Sequence, residues 1–345
     1  MIPAKAIACP DSTGPLGPIA IERLDPGPKD VVIDIQFCGI CHSDLHIGKN
    51  ELGRTKYPFV PGHEIVGVVA SVGSEVTQHK VGDRVGVGCM VDSDRTCHEC
   101  QRGEEQFCTN MVGTYGGTDK AGRPTMGGYS DKIVVNEHFV LRIPDALSMA
   151  EAAPLLCAGI TTWSPLKTWE AGPGKKVGVV GLGGLGHMAV KLAAALGAEV
   201  TVLSTSDRKK ADALAMGAHD FLVTTDAEAM KAALMRFDLI INTVSAPADV
   251  NRLIQLLGRD GTMVMLGLAA EPLPVYSLAL LSRRRRLAGS PIGGIRETQE
   301  MLDFCAEHGI VSDIELIKPG QINEAWARIE KSDVRYRFVI DMAGL

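Results

Sequence analysis

The rhythm of apolar positions changes part-way along the chain. Up to about residue 150 they come as short runs cut by glycine and proline, at 31–36, 65–72, 132–135 and 140–143. That texture predicts short strands in an irregular β-rich domain. From about Glu151 strand-like and helix-like runs alternate. Residues 177–180 read as a buried strand, 185–196 as a helix, 200–203 as a strand and 209–216 as a helix, with further short apolar strands at 239–243 and 263–266. Such alternation predicts a parallel sheet of βαβ units. After Gly293-Gly294 a helix at 297–307 and a strand at 337–340 follow. The helix can return to the first domain, and the strand could belong to either.

The expected fold class is therefore α/β. A doubly wound parallel-sheet (Rossmann) domain occupies 156–292, and a β-rich catalytic domain is assembled from 1–155 and 293–345. Open sheets of this kind bind ligands at the carboxyl ends of their strands, which puts the expected active site in the cleft between the domains.

Length supports two domains, because 345 residues exceed the ~250–300 over which one core usually grows. Lys and Arg number 35 against 41 Asp and Glu, a net charge of -6 with no basic stripe, so a nucleic-acid partner is not expected. The basic run at 283–286 reads as a solvated turn or strand edge. No apolar stretch reaches the ~18 residues of a membrane span, and Met1-Ile2-Pro3-Ala4-Lys5 lacks the features of a signal peptide. The expectation is a cytoplasmic protein without a membrane partner. In that reducing setting nine cysteines point to metal binding or packing rather than to disulfides.

The strand at 177–180 runs into Gly181-Leu182-Gly183-Gly184-Leu185-Gly186 and then a helix. In that setting the first glycine makes the turn, the second admits a pyrophosphate, and the third lets helix and strand pack closely, with the helix N-terminus drawing the phosphates. At the end of the second strand, about 20 residues on, an acidic residue would hold the ribose of NAD. Here Ser204-Thr205-Ser206-Asp207-Arg208-Lys209 stands instead. Small hydroxyls leave room for a 2′-phosphate and Arg208 and Lys209 can neutralise it, so NADP(H) is expected. Asp207 comes three residues after Ser204, too late for the ribose role.

Chemistry-bearing residues gather in Gly39-Ile40-Cys41-His42-Ser43-Asp44-Leu45-His46, in Pro61-Gly62-His63-Glu64, and in Leu156-Cys157-Ala158-Gly159-Ile160-Thr161. Two thiolates and one imidazole leave a fourth position open on zinc, as catalytic sites require. Together with the glycine loop and Gly113-Thr114-Tyr115, these segments resemble, in order and spacing over the whole chain, the cinnamyl alcohol dehydrogenase-like group of zinc alcohol dehydrogenases. Within it the look is of bacterial broad-range aldehyde reductases. The resemblance implies a GroES-like catalytic domain and one catalytic zinc held by Cys41, His63 and Cys157, with Glu64 able to enter the coordination sphere. It implies Ser43 and His46 as the relay carrying the alcohol proton out, Asp44 as the group orienting a ligand imidazole, and His42 facing the cofactor phosphates. Thr161, Thr243, Gly267, Ser290, Pro291 and Ile292 are further candidates for contact with the cofactor.

The family usually carries a second, structural zinc on four cysteines spaced C-x2-C-x2-C-x7-C. Here the spacing is kept but the first position is Asp94, followed by Cys97, Cys100 and Cys108. One Asp and three Cys are the expected ligands. A site completed by His98 or Glu104, and an empty loop, are the rivals. Cys9, Cys38, Cys89 and Cys305 are assigned to packing. The implied reaction is reversible hydride transfer between NADP(H) and primary alcohols or aldehydes in a homodimer or homotetramer. A polyol (sorbitol-type) dehydrogenase is disfavoured by the thiolate of Cys157, and a non-catalytic NADPH-binding protein by the complete relay. Plant lignin enzymes of the group commonly carry tryptophan where Gly113 stands, so a dedicated lignin-alcohol role is not expected.

Overall fold

The computed structural model describes every residue except 246–248 and 269–270. It divides into one unit of Met1–Ile160 with Gly293–Leu345 and another of Thr161–Ile292. The first unit thus runs past the expected boundary at 155 and takes in Cys157.

The first unit is organised on the long strand Asp30–Gly39. On one side it pairs antiparallel with Ile65–Val72; on the other its first half pairs with Lys132–Asn136 and its last residues with Arg337–Asp341. The closing strand therefore belongs to this sheet, which resolves the choice left open by the sequence. Val31, Ile33, Ile65, Val85 and Val339 are fully buried and fill the core, each worth roughly 1.5–3 kcal/mol relative to exposure. The register sets Cys38 opposite Ile65. Cys41 lies just beyond the end of one strand and His63 just before the start of the other, so antiparallel pairing brings the two side by side. A separate hairpin, Ile2–Ala8 with Gly17–Arg23, was not legible in the apolar pattern. The helix Ile295–His308 buries Thr298, Met301, Leu302 and Cys305 on one face. It stops at Gly309, whose φ of 63° is the left-handed turn that glycine tolerates.

The second unit holds six parallel strands in the spatial order Asp220–Val223, Glu199–Ser204, Lys176–Val180, Phe237–Asn242, Leu257–Met265, Arg286–Gly289. Numbered along the chain this is 3-2-1-4-5-6, the doubly wound dinucleotide-binding order. Val180, Leu203, Leu222, Ile240 and Met263 meet in its core.

In the basic run at 283–286, Arg283, Arg284 and Arg286 are exposed, as the solvated reading expects, and Arg285 alone departs from it. Arg284 forks onto Asp260 with two contacts of 2.7 Å. Arg285 is buried and donates to the carbonyls of Leu257, Ala279 and Gln255 at 2.8, 3.1 and 3.2 Å. Carbonyls left over by the surrounding turns hold that guanidinium inside. Among the described residues no helix is long and apolar enough to cross a membrane.

Candidate functional site

Among the described residues, two groups of metal-ligand side chains converge. In each, one ligand atom per residue lies within 4.8 Å of the others.

The first is Cys41, His63, Glu64 and Cys157, all buried. The Cys41 and Cys157 sulfurs are 3.8 Å apart, close to the ~3.8 Å edge of a tetrahedron with Zn–S bonds of ~2.3 Å. His63 Nε2 faces the Cys157 sulfur at 3.2 Å. The Cys157 thiol, donating to Cys41, holds the Cys41 pKa well below the ordinary thiol range, while Cys157 itself is pushed up. The pair thus keeps one proton that a metal would displace. Burial pushes the Glu64 carboxyl up to about 7 against the pull of Arg337. Arg337 lies 3.1 Å from Glu64 Oε1 without a well-aligned hydrogen bond, and neither Glu64 oxygen has such a partner. Two thiols, an inward imidazole nitrogen and a buried, under-partnered carboxylate suit zinc.

Asp44 anchors this corner. It sits in the first turn of the helix His42–Gly48 and accepts the Cys41 N–H on Oδ2 at 2.8 Å. On Oδ1 it accepts the Gly62 N–H at 3.1 Å and stands 3.3 Å from His63 Nδ1. Ser43 is exposed beside Cys41, its hydroxyl 3.6 Å from the sulfur. His46 pairs with the Glu51 carboxylate, and its ring lies 5.1 Å from that of His42.

The second group is Asp94, Cys97, Cys100 and Cys108. The Cys97 and Cys100 sulfurs are 3.5 Å apart. Asp94 Oδ1 accepts the N–H groups of Thr96 and Cys97 at 3.0 and 2.9 Å, and these hold its carboxyl well below the usual range, Cys97 most strongly. His98 pairs instead with Glu99 at 3.1 Å, and Glu104 with Arg102 at 3.0 Å. Three sulfurs and one oxygen are a donor set that zinc accepts.

In the second unit, Gly181 has φ 88°, and a Cβ there would stand 2.6 Å from Val244. A Cβ on Gly186 would stand 2.1 Å from the Gly181 carbonyl, whereas one on Gly183 would meet nothing within 4 Å. The middle glycine therefore faces open space, where a pyrophosphate can approach the turn that includes Leu182, Gly184 and Leu185. The Thr243 hydroxyl donates to the Val180 carbonyl at 2.8 Å. Gly267 leaves no room for a Cβ beside Val244, and the Ser290 N–H reaches the Met265 carbonyl at 3.3 Å. Ser204 to Lys209 lie at the surface end of the second strand, with Thr205, Asp207 and Arg208 exposed. Thr161 is buried, Pro291 is exposed, and Ser290 and Ile292 are half-buried.

Sequence reasoning missed several neighbours. Cys89, assigned to packing, is only partly buried, and Cys157 is the chief influence on its thiol, drawing its pKa down. Tyr115 sets its ring edge-on to His63 at 5.1 Å. Arg337 reaches Glu64 from the closing strand. A charged residue opening an otherwise apolar strand was the available signal for Arg337; nothing local marked Cys89. Cys9, Cys38 and Cys305 are buried and unpaired with one another, as packing thiols should be.

Comparison with known proteins follows the same lines. The alcohol dehydrogenase GroES-like domain family matches residues 27–145, and the zinc-binding dehydrogenase family residues 184–307. The NADP-dependent alcohol dehydrogenase C 1 of Mycolicibacterium smegmatis is 58% identical, covering 100% of this chain and 99% of its own length. Aldehyde reductase YahK of Escherichia coli is 54% identical over 98% of this chain and 97% of its own. A cinnamyl alcohol dehydrogenase from Sorghum bicolor superposes with a TM-score of 0.97 at 49% identity, covering 99% of this chain and 98% of that one. The chain belongs to the zinc-binding alcohol dehydrogenase family.

Proposed function

We propose that this protein catalyses reversible hydride transfer between NADP(H) and primary alcohol/aldehyde pairs, as an aldehyde reductase of broad range that includes aromatic aldehydes. The observation that carries the reading is the buried cluster of Cys41, His63, Glu64 and Cys157 with the Ser43 hydroxyl beside it. The relatives named above, one an NADP-dependent alcohol dehydrogenase and one an aldehyde reductase, support it.

Cys41, His63 and Cys157 would hold the catalytic zinc, with Glu64 as the neighbouring carboxylate. Bound zinc supplies Lewis acidity at the substrate oxygen, and NADPH supplies the hydride. Asp44 keeps the His63 ring turned so that Nε2 faces the thiols. The Ser43 hydroxyl takes or returns the substrate proton, and His46, steadied by Glu51, passes it to solvent. The glycine turn would hold the pyrophosphate, and Ser204, Thr205, Ser206, Arg208 and Lys209 would hold the 2′-phosphate. Asp94, Cys97, Cys100 and Cys108 would hold a second zinc that shapes their loop and takes no part in the chemistry.

The sixth strand, Arg286–Gly289, ends its sheet with an unpaired edge, and Tyr276, Leu278 and Leu281 nearby in sequence are 69%, 72% and 73% exposed. That edge suits pairing with a second copy, so we take the protein to be a homodimer or a homotetramer built from such pairs. Nine unpaired cysteines suit a reducing, cytoplasmic setting.

The test is a panel of aliphatic and aromatic aldehydes, with a polyol included, assayed with NADPH and NADH, alongside zinc analysis and measurement of solution mass. Turnover of aldehydes with NADPH supports the proposal. Preference for the polyol would favour a sorbitol-type enzyme, and NADPH binding without turnover of any substrate would overturn the catalytic reading.

A further inference from the structure

We infer that the Tyr129 hydroxyl, oriented by the Trp326 indole, locks Asp44 in the position that holds His63, and so tightens the metal site of Cys41, His63 and Cys157. The inference rests on the zinc reading above and adds two positioning residues to it.

Asp44 is fully buried, so its oxygens depend on protein donors alone. Oδ1 takes the Gly62 N–H and faces His63 Nδ1; Oδ2 takes the Cys41 N–H and, at 3.3 Å, the Tyr129 hydroxyl. The direction of that last bond is fixed. An indole N–H can only donate, and Trp326 Nε1 stands 3.4 Å from the Tyr129 oxygen. With its lone pair so engaged, the phenol has its single proton left for the carboxylate.

The backbone keeps this hydroxyl from retreating. The N–H groups of Gly127, Gly128 and Tyr129 bond to the carbonyls of Val60, Gly62 and Pro61 at 2.8, 2.8 and 2.9 Å. Those acceptors lead straight into His63. Gly62 has φ 101°, and a Cβ there would stand 2.7 Å from the Tyr129 ring. Behind the segment the buried Arg23 donates to the carbonyls of Met126, Gly127 and Lys132 and to the Ser130 hydroxyl. Tyr129 itself is fully buried and is among the largest such side chains. Removing its hydroxyl takes one of the donors to Oδ2 away and leaves the Cys41 N–H there. Asp44 can then swing toward the Cys41 N–H, and His63 loses its fixed ring orientation. Outer partners of ligand histidines typically change metal affinity by about 10- to 100-fold.

The experiment uses the zinc-loaded full chain, a competing chelator, and alkylation mapping of the thiols set free. Tyr129→Phe should release zinc from Cys41 and Cys157 about 10- to 100-fold more readily, with Cys97, Cys100 and Cys108 labelled as in the wild type. Trp326→Phe should do the same more weakly. The double variant should be no worse than Tyr129→Phe alone, because the indole acts only through the hydroxyl. A purely space-filling role would lower the unfolding temperature and leave the labelling unchanged, and that result overturns the inference. Additive effects in the double variant overturn it as well. If Tyr129→Phe does not fold, Trp326→Phe carries the test. Wild-type protein with no metal at Cys41 and Cys157 would sink the zinc reading itself, a result distinct from a zinc-bearing wild type and unchanged variants.

Discussion

Lys209 donates its ammonium group to the Leu182 carbonyl at 2.8 Å, so the cation that follows the second strand of the parallel sheet rests on the glycine turn that follows the first. A phosphate on the cofactor ribose would find that charge already at the turn. On the NADP(H) reading, Ser204, at the end of the second strand, is the position where charge would decide the cofactor. Ser204→Asp sets a carboxylate against a 2′-phosphate, and such like-charge contacts cost on the order of 1–3 kcal/mol. NADPH should bind about 10- to 100-fold more weakly, while NADH improves relative to it. Steady-state kinetics with both cofactors check this, and an unmutated preference for NADH would refute the assignment.

His46→Gln should slow alcohol oxidation by roughly 10-fold or more, since a positioned proton acceptor is removed from the relay. Zinc content should be unchanged, because His46 is not among the converging ligands. The pH dependence of the rate should flatten, and small amine buffers should restore part of it by acting as external bases. An unaltered pH–rate profile would remove His46 from the mechanism.

The parts of this site that the sequence revealed are those whose chemistry is written in local spacing. The glycine turn, the Cys41-to-His46 helix and the Asp94-to-Cys108 loop each lie within one short segment, so residue type and interval suffice. Tyr129 meets Asp44 across 85 positions and Trp326 across 197, and no local pattern announces either meeting. They converge because strand pairing and the zipped segment at 127–129 carry them together. Arg285 shows the opposite failure. Its charge looked solvated in the sequence, yet the fold leaves three carbonyls facing inward, and only a donor-rich side chain satisfies them. The alternation of strand and helix after Glu151 was legible for a physical reason: parallel strands buried on both faces read as continuous apolar runs. The hairpin of Ile2–Ala8 and Gly17–Arg23 has no comparable signature.

Glu105 joins the cysteine loop to the helix Ile295–His308. It is 2% exposed, meets His138 Nε2 at 2.9 Å and accepts the Ile295 N–H at 3.0 Å. Burial alone would raise its pKa, but the His138 ring and the Ile295 N–H together hold it below the usual carboxylate value. A group with a depressed folded pKa contributes stability above its unfolded value of ~4.3, and loses it as pH falls through the folded one. Glu105→Gln should therefore cost ~1–2 kcal/mol near pH 7, with variant and wild type converging as the solution is acidified below ~4. Unfolding curves at neutral and acid pH measure the difference. A gap of constant size would show that the charge of Glu105 is not its source.

Asp94 presents the sharpest departure from the four-cysteine pattern of the family. Its Oδ1 is committed to the N–H groups of Thr96 and Cys97. Oδ2, with the Asn110 amide 3.4 Å away, is the oxygen left for a metal. The loop has little apolar material of its own; Phe107 is 52% exposed. A segment of that kind cannot offset its ordering entropy without a metal. Two zinc ions per chain are therefore expected, and the one bound through Asp94 should leave first under chelation, because carboxylate oxygen is a harder donor than thiolate. Asp94→Cys replaces that oxygen with sulfur, so the loop's zinc should resist chelators for longer. The gain in heat resistance should be smaller, since the two backbone N–H groups lose their acceptor. Aldehyde reduction should be almost unaffected, because neither Asp94 nor its loop cysteines belong to the Cys41, His63, Glu64 and Cys157 group. Metal analysis during stepwise chelation distinguishes the outcomes. One zinc per chain, with the loop still resistant to proteolysis, would show that the cysteine loop holds its shape unaided.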